Sequence, residues 1–254
     1  MTEPAAQPTA AMLVIGDEIL SGRTREANAH HLAGVLNEIG IRLIEIRVVA
    51  DERAVIVAAV RALSEAADLV FTSGGIGPTH DDITADCVAE AMGATIDVRA
   101  DARAILERYY GTGGINEARL RMARIPEDAA LIENPLSQAP GFILGNVHVM
   151  AGVPAIFQEM LSGLAPKLQG GPKMLAHAFR VGVPEGDLAE GLRALAERHP
   201  AVSIGCYPFY RGGLGCTLIS RSADPAALRS AAEDLRALLG PMTTEIAETP
   251  PHEG

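Results

Sequence analysis

Between Ala10 and Ser73 the chain alternates short apolar runs with longer stretches of helical period, and few architectures tolerate that rhythm. AAMLVIG, from Ala10 to Gly16, has the length and continuous apolarity of a strand buried on both faces. An alanine-rich amphipathic stretch follows from Glu26 to Ile39, with Gly40 placed to close it at the C′ position. IRLIEIRVVA is again strand-like, Asp51 stands where an N-cap belongs before a second helical pattern that runs to Ala67, and DLVFTS is a third short strand. Strands separated by helices at this spacing pair in parallel through right-handed crossovers. The pattern predicts an α/β three-layer sandwich with a mainly parallel sheet.

The middle of the chain is less regular. Helical periods cover Asp82 to Met92, Ala100 to Tyr110 and Asn116 to Ala123, with a break at Gly111 to Gly114. ATIDV and ALIENP read as short strands, and GFILGNVHVMAGVP as a hairpin whose second arm enters a helix from Val153 to Leu168. QGGPK reads as a linker, which places a first domain at 10–170 and a small α+β domain at 172–241. In the second, KMLAHAFRVGV is strand-like, Pro184 to Arg198 helical, and AVSIGCYPFYRGGLGCTLISRS two strands about a glycine turn. A final helix follows, with Asp224 as cap, Pro225 at its first position and Gly240 at its end. The leader MTEPAAQPTA and the tail from Pro241 to Gly254 read as disordered.

Composition narrows the class. Hydrophobic residues make up 48% and aromatics 4%, with no Trp, so the core is built from Ala, Leu, Ile and Val. Asp and Glu number 32 against 21 Lys and Arg, a net charge of −11 that works against non-specific nucleic-acid binding. Cys87, Cys206 and Cys216 form no CxxC pair and suit buried thiols in a reducing cytosol. No apolar run is long enough for a membrane span, and the N-terminus lacks a basic region, so a cytoplasmic location is expected.

In an open parallel sheet, ligands bind where the strands end. Three loops follow predicted strands: GDEILSGRTREAN, VVADE and SGGIGPTHDD. In the third, Gly74, Gly75 and Gly77 can bring backbone N–H groups close to an anion ahead of a helix N-terminus. Asp81 and Asp82 would repel a phosphate unless a divalent cation bridged them, so the run points to metal-bridged phosphate or pyrophosphate. The alternative is a tight turn whose aspartates cap the helix and complement its dipole. The loop lacks the GK[ST] ending of a Walker loop and is not a GxGxxG fingerprint. Asp17 and Glu18 add two carboxylates from the first loop. Asn28 either donates to a ligand or simply occupies a first helical turn, and His80 reads as a solvated loop residue. His30 and His31 face opposite ways on a helix and make no metal pair, and Cys87 reads as core.

Taken in order, GDEILSG, the Asp51 loop and SGGIGPTHDDIT resemble the molybdopterin-binding domain shared by MoaB, MogA and gephyrin. GPTHDDIT, RMARIPEDAALIENP, APGF and MAGVP are more specifically similar to the N-terminal part of the CinA competence/damage-inducible family, itself related to eukaryotic FAD synthases. VSIGCYPF and GGLGCTLISR resemble the KH-like domain that follows it, and the chain ends before any amidase domain. The resemblance implies catalytic roles for Asp51 and Asp82, and a pterin-phosphate pocket lined by Gly74, Gly75, Gly77 and the Gly152-Val153-Pro154 turn. Asp81 stands where the MogA branch commonly has arginine; an anion there favours metal bridging, with Asp81, Asp82 and Asp17 as ligands to Mg²⁺, Mn²⁺ or Co²⁺. In the CinA branch the implied activity is metal-dependent hydrolysis of ADP-ribose or FAD-like dinucleotides. Molybdopterin binding or nucleotidyl transfer, and a non-catalytic binding module, are the alternatives. Gln138, where the family has small residues, is expected to narrow the pocket or add a hydrogen bond. Homo-oligomerisation is implied by resemblance alone.

A KH-like fold raises the question of RNA. Tyr207, Phe209, Tyr210 and Arg211 surround Pro208 and Gly212-Gly213, yet there is no GxxG loop in basic surroundings, and the helices carry Glu185, Asp187, Glu190, Glu197, Glu233 and Asp234. No nucleic-acid partner is expected, and the small domain is assigned to subunit contacts or to covering the pocket.

Overall fold

The computed structural model describes residues 7–111, 113–210 and 213–253. The chain divides into two units, Met1–Gly171 and Pro172–Gly254. The first contains, in order, β1 (Thr9–Ile15), α1 (Asp17–Leu20), α2 (Asn28–Glu38), β2 (Arg42–Val49), α3 (Arg53–Ala66), β3 (Leu69–Ser73) and α4 (Thr84–Met92). There follow β4 (Ile96–Val98), α5 (Ala100–Tyr110), α6 (Glu117–Arg121), β5 (Arg124–Pro126), β6 (Ala130–Ile132), β7 (Gly141–Leu144), β8 (Val147–Met150) and α7 (Pro154–Leu164). A six-stranded sheet runs in the order β2-β1-β3-β8-β7-β6. The strands β2, β1, β3 and β8 are parallel, and the hairpin of β7 with β8 and the pairing of β6 with β7 are antiparallel. β4 and β5 form a separate antiparallel pair.

The period of two along β1 decides the layering. Ala11, Leu13 and Ile15 enter one core with Ile56, Val60 and Leu63 of α3 and Val88 of α4. Ala10, Met12 and Val14 enter the other with Leu32 and Leu36 of α2 and Phe157 and Met160 of α7. Helices therefore cover both faces, which explains why the strand reads as uninterrupted apolar sequence. Each fully buried Leu, Met or Phe contributes about 1.5–3 kcal/mol relative to exposure.

Several local expectations shift. The leader expected to be disordered is ordered at its end, where β1 begins at Thr9, one residue before the expected strand, and Pro8 O accepts from Arg42 N–H; residues 1–6 lie outside the described residues. The helix expected from Asp82 begins at Thr84, and that expected from Val153 begins at Pro154. Asn116 caps α6 by accepting from Arg119 N–H at 2.9 Å.

The second unit contains β9 (Leu175–Val181), α8 (Glu185–Arg198), β10 (Ser203–Phe209), β11 (Gly215–Ser222), α9 (Pro225–Leu239) and β12 (Ile246–Glu253). Its antiparallel sheet is ordered β10-β11-β9-β12, with Phe179 and Leu218 packed among Leu188, Leu195 and Leu235 of the helices. Asp224 Oδ1 accepts from Ala226 N–H at 2.8 Å, as its sequence position requires of a cap. The tail corrects the expectation of disorder: β12 pairs with β9, with its register broken where Pro250 and Pro251 cannot donate. Its Glu248 Oε1 lies 2.7 Å from His177 Nε2, and Glu248 Oε2 accepts from Arg236 Nε at 3.0 Å. The Arg236 guanidinium, helped by His177, holds the Glu248 carboxyl down at about 2. Arg211 and Gly212 lie outside the described residues. Among the described residues no helix is long and apolar enough to cross a membrane.

Candidate ligand-binding cleft

Because β1, β2, β3 and β8 are parallel, the loops leaving them emerge along one edge, and the strand order reverses between β1 and β3. The sequence identified three of these loops by position; the fourth, after β8, carries the Gly152-Val153-Pro154 turn. Gly74 has φ +108, and a Cβ there would lie 2.2 Å from Ile15 O, so the β3 turn passes directly over the end of β1. A Cβ on Gly152 would lie 3.1 Å from Gly74 Cα, which stacks the β8 turn on the β3 turn. The first approach admits only glycine, and at the second a Cβ would push the neighbouring turn aside by a few tenths of an ångström.

Asn28 staples this arrangement. It is buried, and its Nδ2 donates to Ser73 Oγ at 2.7 Å and to Gly152 O at 2.8 Å. Its amide therefore joins the β3 and β8 loops within the fold, and the N–H groups open to a ligand lie elsewhere.

Asp82 does not cap α4, whose N-cap is Ile83 with no side-chain bond. Its Oδ2 instead accepts from Thr79 N–H at 2.8 Å and Thr79 Oγ1–H at 2.5 Å, closing the turn on itself. A Cβ on Gly77 would fall 2.6 Å from that oxygen. Arg121 braces the turn from outside, donating to Thr79 O and Asp82 O at 3.1 Å each. Asp51 likewise does not cap α3, whose N-cap is Glu52 without a side-chain bond. Its Oδ2 accepts from Asp17 N–H at 2.9 Å, joining the loops of β1 and β2. Burial raises the Asp51 carboxyl above its ordinary value; the Asp17 N–H opposes this, and the charges of Asp17, Glu18 and Asp81 add to it.

These loops enclose a cleft of about 740 Å³. Glu18, Asp51, Asp81 and Asp82 line it, with Gly74, Gly75, Gly77, Gly152 and Pro154. The Asp17 side chain is exposed and lies outside the lining; its contribution is the backbone N–H held by Asp51. Pro154 occupies the first turn of α7, whose N-cap Val153 makes no side-chain bond, so the positive end of that helix opens on the cleft. Gln138 does not enter it: the residue has φ +60 and its Nε2 turns back to Pro135 O at 3.0 Å. Ser137 lines the cleft instead, positioned by the buried Asn134, whose Nδ2 donates to Ser137 Oγ at 2.6 Å and to Ala139 O at 2.8 Å. The His80 side chain is fully exposed, and burial pushes the Cys87 thiol up to about 11, an inert core group.

The sequence passed over Tyr110 and Arg119, which also line the cleft. The Arg119 guanidinium lies 4.1 Å from the Tyr110 ring centroid. Their spacing across a glycine-rich break gives no periodic signal.

A six-stranded, mainly parallel sheet with a glycine turn and carboxylates at its carboxyl edge is the arrangement of a molybdopterin-binding domain. Residues 11–170 match the family profile described as "Probable molybdopterin binding domain", and residues 173–247 match "FAD synthase, middle domain". The chain belongs to the molybdopterin-binding domain family of the MoaB/Mog type and, within it, is of the CinA N-terminal type. A CinA-like protein of Myxococcus xanthus is 30% identical over 90% of this chain and 59% of its own length. One from Citrifermentans bemidjiense is 34% identical over 89% of this chain and 57% of its own length. The chain thus spans under three fifths of these relatives. The crystal structure of a CinA protein of unknown function from Thermoplasma acidophilum is 34% identical, with a TM-score of 0.60, over 63% of this chain and 98% of that one.

Proposed function

We propose that the cleft hydrolyses the pyrophosphate bond of a nucleotide, ADP-ribose or an FAD-like dinucleotide, with the help of a divalent cation. The observation that carries this reading is the placement of Glu18, Asp51, Asp81 and Asp82 around a glycine turn and an open helix N-terminus. The turn and the helix end suit phosphate oxygens, whereas the carboxylates suit a cation between themselves and those oxygens.

Among the described residues, no group of three or more His, Cys, Asp or Glu is arranged to hold a metal unaided. An ion of the Mg²⁺ class does not require such a group, because it takes one or two carboxylates and completes its shell with water and substrate phosphate. Asp81 and Asp82 would hold it; Asp17, whose side chain lies outside the lining, is the weaker candidate. When bound, the cation neutralises charge on the phosphate oxygens. Asp51, raised by burial among like charges, suits the acceptance of a proton from the attacking water. Asp82 keeps the glycine turn closed through Thr79.

The match to a molybdopterin-binding profile favours a second reading, pterin binding or nucleotidyl transfer in the same cleft. Incubation with ADP-ribose, FAD and adenylylated molybdopterin, with and without Mg²⁺, Mn²⁺ or Co²⁺, separates the two. Metal-dependent cleavage of ADP-ribose or FAD supports the hydrolase; retention of the pterin without turnover supports a binding module. Homo-oligomerisation and a cytoplasmic location belong to the same proposal. So does the absence of a nucleic-acid partner, which filter binding at physiological salt tests: salt-sensitive micromolar affinity for RNA would overturn it.

A further inference from the structure

We infer that Tyr110 and Arg119 form a stacking platform for the planar heteroaromatic ring of the cleft's ligand. This rests on the cleft being a ligand site, as proposed above, and adds the part of the ligand that the glycine turn does not contact. The cleft's lining contains four carboxylates and, among the described residues, one basic side chain, Arg119. Other arginines of the chain are neutralised by an acid: Arg53 pairs with Glu90, Arg99 with Asp101, Arg124 with Asp86 and Arg236 with Glu248. Arg119 pairs with none among the described residues. It lies instead over the Tyr110 ring, 4.1 Å from its centroid, with Nη1 donating to Gly114 O.

The arrangement removes the guanidinium's freedom without neutralising its charge. A guanidinium held over a phenol ring offers a planar cation and an aromatic face side by side, the groups on which nucleobases and related rings stack. The phosphate end of such a ligand is provided for separately, by the Gly74-Gly75-Gly77 turn and the start of α7. A nucleoside phosphate and a phosphorylated pterin share this chemistry, a planar ring joined to a phosphate.

Calorimetric titration with AMP, a monophosphorylated pterin and ribose 5-phosphate, each with Mg²⁺, tests the platform without requiring turnover. The wild-type chain is expected to bind the better of the two ring-bearing ligands about tenfold or more tightly than ribose 5-phosphate. Preference for AMP assigns the ring to a nucleotide, and preference for the pterin assigns it to a pterin. Tyr110→Leu and Arg119→Gln should each remove most of that preference and leave ribose 5-phosphate binding unchanged. Tyr110→Phe should retain the preference, and Arg119→Lys, which keeps charge but not the plane, should lose it in part. No ring preference in the wild-type chain would overturn the inference, as would variants that lose only melting temperature. ADP-ribose hydrolysis with an unaltered KM in Tyr110→Leu and Arg119→Gln would also sink the platform while leaving the hydrolase standing. Ring-selective binding without any hydrolysis would do the reverse.

Discussion

Replacing Asp51 by Asn keeps an oxygen within reach of the Asp17 N–H and removes a partly buried negative charge. The native carboxyl sits above its unfolded value of 3.8, so the native state binds the proton more tightly. The stabilisation from that proton is complete below pH 3.8 and is lost as pH rises through the native value. At pH 7 Asp51→Asn should therefore melt at the same or a higher temperature than the parent, the two converging on acidification, while hydrolysis falls by about a hundredfold or more. Asp51→Ala, which leaves the Asp17 N–H without its partner, should cost about 1 kcal/mol in urea denaturation. The glycines divide in the same way. Gly74→Ala meets both a φ of +108 and the Ile15 carbonyl, and should lose about 1–3 kcal/mol or more. Gly77→Ala meets only the Asp82 carboxylate, so it should push Asp82 off Thr79 and abolish turnover, with stability changed by no more than about 1 kcal/mol. Loss of fold in the second variant, or retained activity, would contradict this division.

Strand β12 exists because β9 offers it an edge. Glu248 is held well below its unfolded value of 4.5, so its contribution is present above pH 4.5 and fades as pH falls toward about 2. Ending the chain at Gly240 should expose the β9 edge, which hydrogen exchange would register as lost protection of the β9 amides. Glu248→Gln should weaken the same protection at neutral pH and flatten its loss in acid. The contrast between β12 and α9 shows what local sequence can and cannot report. Asp224, Pro225 and the apolar stripe of α9 all act within one helix, so that helix was legible. One partner of Glu248, His177, lies 71 residues away on β9, and a tail with Pro250 and Pro251 looks unstructured until that strand is placed. Asp51 misled in the same manner: its position before a helix suggested a cap, but its hydrogen bond reaches back 34 residues to Asp17. The glycine turn and its aspartates were visible because they are contiguous. Tyr110 and Arg119 reach the cleft only once α5 and α6 have packed.

At the scale of the molecule, each of the two units has hydrophobic clusters of its own among the described residues. Residues 1–171 expressed alone should therefore fold and melt close to the temperature of the first transition of the full chain. Calorimetry of the full chain should give an enthalpy exceeding its van't Hoff value, the mark of more than one cooperative unit; a single two-state transition would show that the units unfold together. The Asn28 staple has a consequence in time. Its two acceptors are 45 and 124 residues downstream. At about 5–20 residues per second of synthesis, roughly ten seconds separate the emergence of Asn28 from that of Gly152. Once Ser73 has emerged, and until Gly152 follows, a nascent chain holds β1, β2 and β3 with one flank of β3 still open, vulnerable to pairing with a stranger. The cleft is thus among the last features of its unit to be completed on the ribosome, and its ligand can reward only chains that have finished the sheet.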